Sequence, residues 1–367
     1  MTNVKVIIWG LGAMGSGIAH MLLKKEGVDI VGGIDIGDKV GKPLYEVMGI
    51  DAHPKAEIKV GTVEDYITEK RADIVLLCTD SFTVKSFDKI KLVLENKMNV
   101  ITSAEEMAYP QAQNPELAQE IDELAKLNGV SVLGTGINPG LMMDLLVIMM
   151  TGACMDVEHI TARRVNSLSP FGHAVMEEQG IGMDPAVFQK GIEEDTVAGH
   201  VGFPESIMMI ADAIGWKLQK PANPKNTKDH VVRQTMEAII TDVDRVAPHG
   251  KALAGQVAGV SMNGYGLVDG EEKIVMEHPQ QIEPEQVGVN TGDYVTIKGT
   301  PHINLVNSPE VDGGIGTIAM CVNMIPQVIN AEAGLVTMID LPVPRAIMGD
   351  MRDRITPSKK VVNDLGR

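Results

Sequence analysis

The chain has 367 residues, more than one hydrophobic core organises, so two domains are expected. Its 49 acidic residues outweigh 32 Lys and Arg, and the resulting charge of −17 repels phosphate backbones and anionic bilayers, which argues against nucleic-acid and membrane partners. The three cysteines, Cys78, Cys154 and Cys321, lie far apart without metal-ligand spacing, so neither a disulfide framework nor a metal site is expected.

The chain opens directly on an apolar run, with no charged leader, cleavage site or long apolar span, and the cytoplasm is the expected compartment. Val- and Ile-rich runs at 4–9, 28–34, 73–78, 99–102 and 130–133 are predicted strands. They are apolar along their length, as a parallel sheet covered on both faces requires. Helical spacing at 16–25 and 115–127 falls between them, the second helix opened by Asn114-Pro115. This alternation predicts an α/β fold, a Rossmann-type doubly wound parallel sheet over residues 1–138. The turn-rich run Gly134-Thr135-Gly136-Ile137-Asn138-Pro139-Gly140 then leads into an apolar stretch at 141–151, where the domain boundary is placed. A second, α+β domain over 139–312 has predicted strands at 159–166, 257–265, 294–298 and 302–306, mostly antiparallel, and predicted helices at 205–214 and 235–238. The segment 313–367 begins as an apolar helix and is expected to return to the first domain.

The strongest motif is Gly10-Leu11-Gly12-Ala13-Met14-Gly15, directly after a predicted strand and before a helix. The first glycine permits the tight turn, the second admits a pyrophosphate to the backbone, and the third lets helix pack on strand. Leu11, Ala13 and Met14 then offer their amides around the phosphates. Asp35 ends the second strand, where a carboxylate accepts from ribose hydroxyls and favours NAD; Lys39 close by leaves NADP open. Thr79 and Ser81, after the third strand, either border the cofactor or cap the next helix.

The fourth strand ends in Thr102-Ser103-Ala104-Glu105-Glu106, placing two carboxylates near the expected nicotinamide position. Ser103 and Glu106 match a capping box, which gives Glu106 a structural role and makes Glu105 the acid–base candidate; a solvated acidic pair at a helix start is the competing reading. Asn138 either presents its amide to nicotinamide or substrate or caps the following helix. Strand alternation puts Arg164 and Asn166 on one face, where Arg164 can fork onto a substrate carboxylate, although a surface arginine is the ordinary reading. His200 is flanked by Gly199 and Gly202, which permits close approach of a ligand or a purely structural role.

Trp9 through Gly15, the run Thr102-Ser103-Ala104-Glu105-Glu106-Met107, the turn run at 134–140 and Arg163-Arg164-Val165-Asn166 resemble the 2,4-diaminopentanoate dehydrogenases and the related native amine dehydrogenases, across the whole chain. The resemblance implies a second domain like that of dihydrodipicolinate reductase, a homodimer, and oxidative deamination at C4 of a 2,4-diamino acid within ornithine degradation. The products would be 2-amino-4-oxopentanoate, ammonia and reduced NAD or NADP. It also implies a key acid–base glutamate at Glu105, or one place along at Glu106, and a substrate pocket that includes Arg164, Asn166 and His200. Two other readings stand beside it. One is a related reductase of the dihydrodipicolinate reductase or homoserine dehydrogenase type, whose lysine and histidine signatures are not found. The other is an NAD-binding sensor without turnover.

Overall fold

The computed structural model describes residues 2–194, 196–219 and 232–356. Its strands, in chain order, are β1 Val4–Trp9, β2 Val28–Ile34, β3 Val60–Gly61, β4 Ile74–Leu77, β5 Asn99–Thr102, β6 Ser131–Gly134, β7 Asp156–Ser167 and β8 Val232–Ile240. There follow β9 Arg245–Ala247, β10 Gly250–Ala252, β11 Val257–Val268, β12 Glu271–Gln281, β13 Gly292–Thr300, β14 Ile303–Asn307 and β15 Gly334–Val336. The chain divides into two compact units, one running up to Gly140 and resuming at Gly314, the other covering Leu141–Gly313.

The first unit holds a seven-stranded sheet in the order β15-β6-β5-β4-β1-β2-β3, parallel throughout. Residues such as Ile7, Val75, Leu77, Val100 and Val132 are fully buried in one cluster with Val93 and Ile121 of the flanking helices Thr83–Glu95 and Pro115–Asn128. The strand order reverses at β1, between β4 and β2, and such a switch point opens a crevice at the carboxyl ends of the strands. The segment expected to be helical after residue 313 forms the helices Gly313–Asn323 and Ile325–Asn330 and then β15, which pairs parallel to β6. With three residues, β15 is too short to show a period in sequence.

The second unit is built on a six-stranded sheet in the order β14-β13-β7-β12-β11-β8, antiparallel except for β7 against β12. The helix predicted at 235–238 is absent, because those residues lie inside β8 and pair with β11 from Val232↔Gly266 to Ile240↔Val257. Ladder hydrogen bonds override a weak local pattern there. Strand β12 escaped prediction because its alternation is one of burial, not of hydrophobicity: Ile274, Met276, His278 and Gln280 are buried in turn. The same change runs across the face. Ile160, Ala162, Ile274, Met276, Val295 and Ile297 pack with Phe203, Ile207 and Ile210 of the helix Phe203–Ile214. Further along, the alternating positions on that face become Arg164, Asn166, His278, Gln280 and Asp293, all buried. Among the described residues no helix is long and apolar enough to cross a membrane.

Candidate active site

The glycine loop leaves the end of β1 and enters the helix Ala13–Leu23. Gly10 has φ +94, and a Cβ there would lie 2.6 Å from the Cys78 carbonyl oxygen, so only glycine takes the turn. A Cβ on Gly15 would lie 1.8 Å from the Gly10 carbonyl oxygen, which is the close helix–strand approach. Gly12, by contrast, would meet nothing within 4 Å and presents bare backbone outward. It is also the helix N-cap, with no side-chain cap bond and no acid in the first turn, so the first amides and the positive end of the helix dipole suit an anion. Leu11 is buried, Met14 half-buried and Ala13 exposed. A dinucleotide pyrophosphate fits this donor set.

Asp35, just beyond β2, is tied to the same loop. Its carboxylate accepts from the Leu11 amide at 2.7 Å, the Ile36 amide at 2.7 Å and Lys39 Nζ at 2.9 Å. Burial works to raise its pKa, but the bonds from Ile36, Lys39 and Leu11 outweigh that and hold the carboxyl below its ordinary value. Lys39 Nζ also donates to the Leu11 carbonyl at 2.9 Å. Thr79 follows β4; its methyl would lie 2.9 Å from a Cβ on Gly10, and its hydroxyl takes a hydrogen bond from Lys89 Nζ at 2.9 Å. Neither Thr79 nor Ser81 caps the helix Thr83–Glu95, whose N-cap is Phe82, without a side-chain bond.

That helix is capped from elsewhere. The Glu106 carboxylate, 9% exposed, accepts from the Thr83 amide at 2.7 Å and from Asn114 Nδ2 at 3.3 Å, while the Glu106 amide donates to the Ser81 carbonyl at 3.1 Å. A carboxylate at a helix start is stabilised by the dipole. The predicted capping box with Ser103 therefore does not form: the short 3-10 turn Glu105–Ala108 begins at Ala104, with no side-chain cap. Glu106 instead caps the start of another helix, Thr83–Glu95. Glu105 is half-buried on the same turn. The turn lies directly on β6, since a Cβ on Gly134 would come within 2.1 Å of the Met107 carbonyl carbon.

Asn138 does not cap a helix. The residues after it form turns through a cis Asn138–Pro139 peptide, and the next helix starts at Leu145, capped by Asp144 accepting from the Leu145 amide at 2.6 Å. The Asn138 loop is anchored through its neighbour Ile137, whose amide donates to Thr317 Oγ1 at 3.2 Å. Strand order β1-β4-β5-β6 sets the glycine loop, Thr79, the Glu105 turn and Asn138 on successive strand ends of one edge.

In the second unit Arg164 differs from both readings of the sequence. It is 2% exposed, paired through Nη1 with Asp293 and donating from Nη2 to the Val311 carbonyl, so its fork closes on the protein itself. Asn166 turns its Nδ2 toward the Ser167 carbonyl at 3.4 Å and its Oδ1 to His278 Nε2 at 2.9 Å. His278 consequently donates through Nε2, and its Nδ1 is a buried lone pair without a partner. The His200 ring stands edge-on to His278, centroids 4.6 Å apart, and 5.3 Å from Phe203. Burial, with a smaller push from Arg164, takes the His200 pKa down to about 3. Burial, then His200 and Arg164, holds His278 well below its ordinary value. His278 was not picked out from sequence; the signal available was a histidine where the alternation Ile274, Met276 calls for an apolar residue.

The profile of the 2,4-diaminopentanoate dehydrogenase C-terminal domain matches residues 141–357. The chain is 67% identical over 362 residues to 2,4-diaminopentanoate dehydrogenase of Acetoanaerobium sticklandii, covering 99% of this chain and 100% of that protein. It is 22% identical over 378 residues to an amine dehydrogenase of Streptomyces virginiae, covering 94% and 98% of the two. The structure of amine dehydrogenase from Mycobacterium smegmatis shares its fold, with a TM-score of 0.80 at 24% identity over 94% of this chain and 98% of that one. Matched along nearly its whole length, and by the family's C-terminal-domain profile over residues 141–357, the chain belongs to the 2,4-diaminopentanoate dehydrogenase family.

Proposed function

We propose that the protein oxidatively deaminates 2,4-diaminopentanoate at C4, giving 2-amino-4-oxopentanoate and ammonia, with Glu105 as the acid–base group and a nicotinamide dinucleotide as oxidant. The observation that carries this reading is the 67% identity to the Acetoanaerobium sticklandii enzyme over 362 residues. Glu105 takes the acid–base role because Glu106 is committed to the start of the helix Thr83–Glu95.

The substrate amine is an ammonium near neutral pH and has no lone pair to assist departure of hydride. A carboxylate at position 105 removes that proton and frees the pair. When bound, the dinucleotide supplies the acceptor for the C4 hydride. Glu105 gives the ammonium proton up to solvent, and the resulting iminium is then hydrolysed: Glu105, again a carboxylate, takes a proton from the attacking water and returns it to the leaving nitrogen. Over the cycle, the substrate ammonium, water and oxidised cofactor become ketone, ammonium, reduced cofactor and one proton released to solvent. The start of the helix Ala13–Leu23 holds the pyrophosphate, with Leu11, Gly12, Ala13 and Met14 offering backbone, while Thr79 and Asn138 border the cofactor.

Asp35 accepts from the ribose hydroxyls and makes NAD the preferred cofactor, and the charge of Lys39 lets NADP serve more weakly. His200 and Asn166, with His278, recognise substrate, and Arg164 acts on them through its field. The same reading takes the enzyme to be a cytoplasmic homodimer acting in ornithine degradation, as the family resemblance implies.

The test is the purified protein with 2,4-diaminopentanoate and each cofactor. Growth of reduced-nicotinamide absorbance, matched by ammonia released, is expected, faster with NAD. Cofactor binding without any amine-dependent reduction would overturn the enzyme reading in favour of a sensor.

A further inference from the structure

Gln280 is 4% exposed, and its amide nitrogen has no hydrogen-bond partner. A buried amide left this way forfeits the bonds it made to water, and an apolar residue of the same shape would avoid the loss. The preceding positions on the same face of β12, Ile274 and Met276, are apolar, so the strand itself does not require a glutamine there. Two residues before it on that face stands His278, whose Nδ1 is likewise buried and unpartnered. The two orphaned atoms are opposite in kind. The Gln280 amide nitrogen can only donate, and His278 Nδ1 can only accept, because its ring proton is given from Nε2 to Asn166.

We propose that Gln280 and His278 together recognise the α-amino-carboxylate end of the substrate, Gln280 donating to the C1 carboxylate and His278 Nδ1 accepting from the C2 ammonium. Side chains at i and i+2 of a strand stand roughly 7 Å apart at the backbone, a span that an amino-acid head fills with a hydrogen bond at each end. A lone anion would leave His278 unsatisfied, and a monoamine would leave Gln280 unsatisfied. The arrangement thus selects a molecule carrying both groups on adjacent carbons. Burial of the ring, then the neighbouring His200 and Arg164, hold His278 neutral, hence an acceptor. This inference rests on the reaction proposed above but concerns the end of the substrate that does not react.

The test is Gln280→Leu in the full-length protein. For 2,4-diaminopentanoate, kcat/KM is expected to fall about 10- to 100-fold, chiefly through KM, whereas a monoamine with the same reacting end, 2-aminopentane, is expected to lose no more than about threefold. The free variant is expected to melt at the same temperature as wild type or higher, because leucine removes the orphaned amide, and the upward Tm shift produced by the diamino acid should shrink. An equal loss on both amines, a lowered Tm of the free protein, or unchanged kinetics on both would overturn the proposal. The substrate-induced Tm shift is read without turnover. A wild-type shift that Gln280→Leu removes therefore supports the contact even in a protein that does not oxidise the diamino acid, a result that would count against the reaction alone.

Discussion

At the scale of single residues, two adjacent glutamates differ in burial, Glu106 being buried and Glu105 half-buried. Glu106 is bound by the amide of Thr83, 23 residues away, and by Asn114. The sequence pattern Ser103 to Glu106 pointed to a local partner, and a local pattern cannot reveal one that folding brings in from the preceding helix. The capping box read from Ser103 and Glu106 is replaced by a cap on the helix Thr83–Glu95. Glu106→Ala is expected to cost about 1–3 kcal/mol of stability, as loss of a buried helix cap does, measured by urea titration. Turnover per folded molecule should stay within about tenfold of wild type. Turnover abolished in a variant of unchanged stability would transfer the chemistry to position 106. Arg164 teaches the complementary lesson: its place on a strand face was readable, but its partner Asp293 lies on β13, and nothing near Arg164 in sequence announces that pair.

At the scale of elements, the glycine loop was the most legible part of the chain because each glycine answers a steric demand set within a few residues of it. The three positions differ in what they exclude, and Gly12 separates binding from folding. It has an extended φ of −78, and a Cβ there meets nothing within 4 Å. Gly12→Ala should thus leave the melting temperature nearly unchanged while weakening dinucleotide binding by about tenfold or more, measured by nucleotide fluorescence. Unchanged affinity in that variant would show that the pyrophosphate does not approach here. Strands β1, β2, β4, β5 and β6 of the first sheet were readable because burial on both faces makes them largely apolar, whereas β3 and β15, two and three residues long, were not. Strands β8 and β12 of the second sheet were not readable either. One carries Thr, Glu and Met where a helix reads equally well, and the other exchanges apolar for buried polar side chains midway, so that its function hides its structure.

At the scale of the molecule, the fold class followed from the order of elements, and the first unit breaks off at Gly140, the last residue of the turn-rich run 134–140, and resumes at Gly314. The buried polar end of the second sheet carries a consequence for the whole protein. Both His200, at about 3, and His278 have pKa values below their unfolded value of 6.5. The unfolded chain therefore takes up protons that the folded one refuses, and stability present above pH 6.5 is lost as the pH falls toward 3. The slope should be on the order of 1 kcal/mol per pH unit for each histidine, and His278→Gln should flatten it in urea titrations across that range. A stability constant with pH across that window would mean that these rings are charged in the folded state. The account as a whole stands on Glu105 as the group that takes the ammonium proton. Its most direct test is single-turnover reduction of bound nicotinamide by 2,4-diaminopentanoate in Glu105→Gln, alongside the cofactor Kd. The expected result is a rate lower by about 100- to 10,000-fold with Kd unchanged, whereas a rate within tenfold of wild type would contradict the account.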